Sequence, residues 1–488
     1  MKDEVWSDWF YASGVHSTYA IAQSSVMMSK DWGVDYGITI VAIENGKARW
    51  SSPRRKLLEI GKIAFTKLND VKFKIKVWKA FRKDLKELES AYMKIERADL
   101  RKIENSLLLK LYSALSSAYY SMWRNSIFVD SVPIAGEEAI LEKITGGKGK
   151  LPSDKATILS RLLSPTKKSF LAQEEYEREK INRAIPVKMV GLPYEKLQIN
   201  HQKLIEAHSR KWFWMENNSL ESKVLDGAYF WEIIRQEAPD GKANDRMEKA
   251  KETPITQREK IAILKKLHLG TEMLPFIAIM DEFGNFQDIR KMYWIRTMHY
   301  FDLLFNEMTK RLDITAIQLK NAFPWEIAEI MKGKKLNGPN LRERTGYSLI
   351  IFKHKTPLIF VGKEARTKYV EIFGDEKGIE DFAEIHGICA SAGRVIGRVA
   401  ILTSSKDISK LMGGDIMVAP STDPEYVVAM KKAAAIVTDE GGITSHAAIV
   451  SRELGIPCLV GTKIASKVFK DGELVELDAN HGVIRRLK

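Results

Sequence analysis

The stretch best suited to chemistry reads Thr438-Asp439-Glu440-Gly441-Gly442-Ile443-Thr444-Ser445-His446-Ala447-Ala448-Ile449. An apolar run reaches Thr438, two glycines turn the chain, and a helix starts almost at once, with His446 in or beside its first turn. Unpaired N–H groups at a helix start, with glycines permitting close approach, form a cradle for an anion. Thr444 and Ser445 add hydroxyl donors beside it. A histidine in such a cradle suits the acceptance and release of a phosphoryl group. The neutral imidazole is the nucleophile, and an ordinary pKa near 6.5 leaves it mostly unprotonated at neutral pH. The N–P bond is labile, which makes phosphohistidine a carrier rather than a store. The same spacing also fits a core histidine on a strand–turn–helix unit whose glycines serve only the turn.

Other candidates carry less. His201 and His208 are seven residues apart, but no carboxylate spacing completes a zinc motif, so both read as satisfied surface or core histidines. Asp281-Glu282-Phe283-Gly284 matches a kinase D-F-G only with the Asp one residue out of place. The glycine cluster Gly146-Gly147-Lys148-Gly149-Lys150 lacks both the spacing and the Ser or Thr of a phosphate-binding loop. Glu440 could steer Mg²⁺ but reads as a solvated loop carboxylate. Cys389 and Cys458 read as small core residues, too few for a disulfide framework or a cysteine zinc site. No metal site is expected.

The elements that must position His446 follow from its neighbours. Val395–Leu402, Gly414–Val418, Ala434–Thr438, Cys458–Val460 and Glu473–Leu477 read as strands. Thr422-Asp423-Pro424-Glu425 reads as a helix start, leading into Tyr426–Ala433. A second helix near Ser445–Leu454 is closed by Gly455, with Pro457 just beyond. The front is different in texture. Helical periodicity runs through Lys72–Ala98, Leu100–Trp123, Leu197–Trp214, Ser222–Gln236 and Met292–Leu312, with β-like runs at Val34–Ile43, Phe276–Ile279 and Tyr347–Phe352. The expected architecture is multidomain: a mainly α-helical, basic region over 1–380, subdivided near 145–155 and 237–255, then a mixed β and α domain over 384–488.

Charge supports the same division. The chain has 488 residues and a net charge of +14, yet residues 381–488 hold 13 basic and 13 acidic side chains and are neutral. The front therefore carries the whole excess, and all 11 tryptophans as well. A basic surface could meet nucleic acid, anionic lipid or a phosphorylated small molecule. No apolar run approaches the roughly 18 residues of a membrane span, and the first residues lack the apolar core of a secretory signal. A cytoplasmic protein with no membrane partner is expected.

Gly441-Gly442-Ile443-Thr444-Ser445-His446-Ala447-Ala448-Ile449, Arg452-Glu453-Leu454-Gly455-Ile456-Pro457 and Val460-Gly461-Thr462 resemble the signature of the swivelling phosphohistidine domain of phosphoenolpyruvate synthase, pyruvate phosphate dikinase and rifampin phosphotransferase. The resemblance extends to Ala390–Val399, to Gly414–Val418 with Thr422-Asp423-Pro424, and to the closing hairpin from Asp471 to Gly482, and so covers about residues 384–488. It implies a β/β/α domain whose histidine takes a phosphoryl group originating from ATP on an ATP-grasp domain and swings to deliver it. On that resemblance His446 is the phosphorylated nucleophile, Thr444 a position that can itself be regulated, and Gly441 and Gly442 the turn beneath. The front shows only a weak likeness, at His201–Trp214, Trp325-Glu326-Ile327 and Arg342–Tyr347, to the helical region of rifampin phosphotransferase. No ATP-grasp segments are recognised in 1–380, and the roughly 250-residue barrel that phosphoenolpyruvate-forming relatives place after the swivelling domain has no counterpart before Lys488.

Two functional readings follow. In the first, the chain is the phosphoryl-carrier component of an ATP-dependent phosphotransferase, with ATP and Mg²⁺ on a separate ATP-grasp subunit and an anionic or phosphorylatable small molecule as acceptor. Such a split resembles phenylphosphate synthase. In the second, the front is a basic binding or regulatory protein for nucleic acid or an acidic partner, drawing on Lys72-Phe73-Lys74 and Lys211-Trp212-Phe213-Trp214, and the tail is an inactive phosphohistidine-like domain.

Overall fold

The computed structural model describes residues 6, 10–28, 32–145, 158–159, 161–217, 222–237, 255–334, 336, 339–353, 356–374, 382, 384–403, 405–422, 426–443 and 445–487. The front is built around one long helix, Leu274–Thr309, against which Val71–Arg97, Asn105–Ser126 and Ser131–Thr145 pack. Aromatic pairs run through its largely aliphatic core. Phe286 stacks on Phe81 with ring centroids 3.8 Å apart, Tyr300 on Tyr92 at 4.1 Å, and Phe276 on Phe65 at 3.8 Å. Large rings bury much apolar area each, and offset stacking adds to that burial. This gives the clustering of tryptophan and other aromatics in the front its structural meaning.

The apolar run around Phe276–Ile279, expected as a strand, is the first turns of that long helix. A short continuous apolar run has no periodicity of its own that separates a buried strand from a buried helix. Here Pro275 sits in the first turn, and Ile277, Met280, Phe283 and Phe286 continue at helical spacing into the core.

Of the other β-like runs of the front, Tyr347–Phe352 is a strand throughout and Val34–Ile43 is one only from Thr39. They belong to an antiparallel sheet in the order β1 (Phe10–Ser13), β3 (Lys47–Ser51), β2 (Thr39–Glu44), β4 (Tyr347–Phe352), β5 (Leu358–Val361). Val41 pairs with Ile350 and Ile43 with Ser348, so the central register joins segments about three hundred residues apart. Val41, Ile43, Ile350 and Phe352 face the helical core, while Ile40, Ala42, Leu349 and Ile351 face the helix Gly362–Phe373. A smaller cluster, formed by the helices Phe170–Ala184, Ile199–Trp212 and Gly227–Glu237, rests on Ile295 of the long helix.

From Glu384 the chain builds a second sheet, in the order β6 (Glu384–His386), β13 (Val483–Arg486), β12 (Leu474–Asp478), β8 (Arg394–Ile401), β9 (Ile416–Ala419), β10 (Ala435–Thr438), β11 (Cys458–Val460), β7 (Ile388–Ser391). Strands β8 to β11 are mutually parallel, and β12, β13, β6 and β7 are antiparallel to their neighbours. Ile416, Val418, Ala435 and Val437 enter the core on one face, and Met417, Ala419, Ile436 and Cys458 the core on the other. Cys389 and Cys458 are both buried in these cores. The helix after Thr422 is shorter than expected, Val427–Met430, and residues 423–425 of its expected start lie outside the described residues.

Candidate functional site

The parallel strand β10 ends at Thr438, and the chain leaves the sheet there. Thr438 Oγ1 donates to the Glu440 carbonyl at 2.7 Å, which bends the exit. Gly441 then takes φ of 101°, a left-handed conformation, and a Cβ there would lie 2.8 Å from Ser445 Cβ. Ser445 caps the helix His446–Leu454 by accepting the Ala448 N–H at 3.4 Å. The sequence thus folds locally as strand, glycine turn and capped helix because each step has a residue type suited to it.

Beneath the turn lies a buried aspartate that composition gave no reason to single out. Asp439 accepts the Ser466 N–H at 3.0 Å, the Ser466 hydroxyl, and the Thr462 hydroxyl at 3.1 Å. Burial pushes its pKa up while these donors oppose the shift. Asp439 thereby ties the turn to the segment after β11. Arg452, one of the signature residues, donates from Nη1 to the carbonyls of Ile443 at 2.8 Å and Ala390 at 3.3 Å, holding the turn from the helix side.

His446 occupies the first position of its helix and is half-buried, with Nε2 shielded from solvent. Its Nδ1 lies 3.0 Å from Thr422 Oγ1, and Nε2 has no hydrogen-bond partner among the described residues. Desolvation first, and the ammonium of Lys291 second, hold the imidazole pKa well below its ordinary value. The ring is therefore neutral near pH 7, with Nδ1 beside Thr422 and Nε2 buried without a hydrogen-bond partner among the described residues. Thr422 was read from sequence only as a helix cap; its role beside the histidine depends on a fold that brings the end of β9 next to β10.

Among the other residues singled out in the sequence, Gly441, Gly442 and Ser445 surround the histidine turn, and Thr444 lies outside the described residues. Glu440 is half-buried rather than a solvated loop carboxylate, because its N–H donates to the Pro420 carbonyl at 2.9 Å and draws it against the preceding loop. His208 is a buried structural residue, 3.0 Å from Glu174 beneath the Phe230 ring. Asp281 accepts the Thr166 N–H at 2.7 Å and faces the buried Lys260, and Glu282 joins Lys74 and Trp78, so this segment is a packing unit of the front. The glycine cluster at 146–150 lies outside the described residues. Among the described residues no cluster of three His, Cys, Asp or Glu side chains is placed to hold a metal ion.

The histidine does not face open solvent. Ile443 is fully buried in the aromatic core of the front, and its N–H donates to Glu137 Oε2 at 3.2 Å. Ser169 Oγ donates to Glu453 Oε1 at 2.9 Å, and Lys431 pairs with Glu175 at 3.4 Å. Burial, with Asp288 and Glu175 nearby, pushes the Glu453 carboxyl up to about 7 against the opposing Ser169 bond. The Lys431–Glu175 pair is about a third exposed on both sides, and such a pair contributes about 0–1 kcal/mol. These contacts close the two parts on each other without welding them.

Residues 411–482 match the family described as PEP-utilising enzyme, mobile domain. This part of the chain is similar to the mobile domain of PEP-utilising enzymes. The probable phosphoenolpyruvate synthase of Archaeoglobus fulgidus is 48% identical to the chain over 128 residues, which are 26% of this chain and 17% of that protein. The phosphoenolpyruvate synthase of Pyrococcus furiosus is 55% identical over 100 residues, 20% of this chain and 12% of that one. The chain thus spans less than a fifth of the length of these relatives. Aconitase X of Thermococcus kodakaraensis aligns over 22% of this chain and 98% of its own at 21% identity, with a TM-score of 0.18, too low to bear on the fold. Among the described residues no helix is long and apolar enough to cross a membrane.

Proposed function

We propose that the chain is the phosphoryl-carrying component of an ATP-dependent phosphotransferase, with Nε2 of His446 as the atom phosphorylated. The observation that carries this reading is the state of the ring: neutral, engaged at Nδ1 by Thr422, and unpartnered at Nε2 beside a glycine turn. With the proton on Nδ1 and donated to Thr422 Oγ1, the lone pair on Nε2 attacks the terminal phosphorus of a nucleoside triphosphate. The N–P bond forms as the P–O bond to the leaving nucleotide breaks, and the departing oxygen takes the electron pair. Delivery reverses the chemistry: an acceptor oxygen attacks phosphorus and the ring leaves neutral.

The backbone at Gly441 and Gly442, with the hydroxyls of Thr444 and Ser445, cradles the phosphoryl oxygens. Nucleotide and Mg²⁺ are assigned to a separate ATP-grasp polypeptide, where the ion would neutralise phosphate charge during transfer. The positive excess of the front suits an anionic acceptor or an acidic partner surface, and the neutral mobile domain can move between stations without adhering to either. The test is incubation of the full chain with labelled ATP and candidate ATP-grasp subunits. Acid-labile, alkali-stable label, absent from His446→Ala, is expected. No label with any partner, together with salt-dependent nucleic-acid binding by the full chain, would replace this reading with that of a basic binding protein.

A further inference from the structure

The helix Ser131–Thr145 of the front reaches the glycine turn with a carboxylate. Glu137 Oε2 receives the Ile443 N–H at 3.2 Å, and a Cβ at Gly442 would lie only 2.5 Å from the same oxygen. Glycine at 442 is what allows this approach. The supporting helix is held firmly, because Gly61 packs on Ser131 and Ala135 and Gly136 packs on the Met280 side chain. Glu137 also lies in the field of the Arg452 guanidinium, which braces the turn through the Ile443 carbonyl. An anion of fixed position therefore sits on a donor of the turn that, on the carrier reading, serves the phosphoryl group. At the same interface Ile443 is sealed into the front and Nε2 of His446 is shut off from solvent.

We propose that Glu137 is an internal latch: its carboxylate stands in for phosphate at the glycine turn and holds the unphosphorylated mobile domain against the helical front, so that docking at Glu137 and phosphorylation of His446 exclude each other. The proposal rests on the carrier reading of His446. Two physical effects enforce the exclusion. A phosphoryl group on Nε2 needs volume that the closed interface does not leave. It also brings about two negative charges to donors already facing a carboxylate, and like charges in a partly buried site repel strongly. The empty carrier is parked and the loaded carrier is free to swing.

The test uses the full chain and phosphoramidate, a small phosphoryl donor that needs no protein partner, with phosphohistidine followed by ³¹P NMR and amide hydrogen exchange read over residues 131–143 and 441–455. Glu137→Gln keeps the shape and removes the charge; Glu137→Ala removes the contact. Loss of one charge-assisted hydrogen bond should raise the labelling rate about tenfold in Glu137→Ala, with Glu137→Gln between it and the native chain and Ile443 exchanging faster in both. The phosphorylated native chain should show the exchange pattern of Glu137→Ala. Equal labelling rates and equal exchange in all three proteins would overturn the latch and leave the carrier reading standing. No label in any of them, with exchange still faster in the variants, would overturn the carrier reading and with it the latch.

Discussion

At His446 burial acts on the proton as well as on access. The ring is neutral because a cation would be stranded next to Lys291 with little water to solvate it. When the domain is free, the ring should return toward its ordinary pKa of about 6.5. The docked form therefore binds fewer protons below that pH. Its stability is fully present above pH 6.5 and is lost as the pH falls toward the depressed pKa. The Cε1–H resonance of His446 should stay in its neutral position between pH 8 and 6 in the native chain, and titrate nearer 6.5 in Glu137→Ala. A native titration centred at 6.5 would contradict the account. The glycine turn and the helix that begins at His446 were legible because their signals are local, whereas Ser445 was read only as a hydroxyl donor and its capping of that helix was not. Thr422 and Glu137 were not, since they reach the site from 24 residues before His446 and 306 residues before Ile443, and nothing local marks an arrival of that kind.

At the scale of elements, the turn is the part that sequence specifies most tightly. Gly441→Ala would place a methyl group 2.9 Å from Ser445 Oγ in a left-handed conformation, which costs about 1–3 kcal/mol at such positions. The expected result is a mobile domain that still folds but loses most of its phosphorylation, checked by circular dichroism alongside the labelling assay. Labelling at the native rate would show that the turn has no part in the chemistry. Strands β8 to β12 and the helix ending at Gly455 were readable from alternation, caps and breakers, because each is a short element with local punctuation. The front was readable in its amphipathic helices and in two of its strands, but not in how they assemble. Its five-stranded sheet depends on β2 meeting β4 across most of the chain, and the start of the long helix is apolar on too many sides for periodicity to name it.

For the whole molecule, the domain after residue 380 is neutral and the front carries the whole positive excess. Among the described residues, the contacts between them include hydrogen bonds, an ion pair about a third exposed and the buried Ile443. The larger core lies within the front. The two-part division was visible in charge and tryptophan content, whereas the docked arrangement was not, because it depends on shape complementarity between surfaces that composition does not encode. The most direct test of the central claim is the position of the phosphoryl group on the ring, read by ³¹P and ¹H NMR of the phosphorylated full chain. Thr422 holds Nδ1, so the account predicts phosphorus bonded to Nε2 of His446 and no signal in His446→Ala. Phosphorus on Nδ1, or on any other residue, would contradict it.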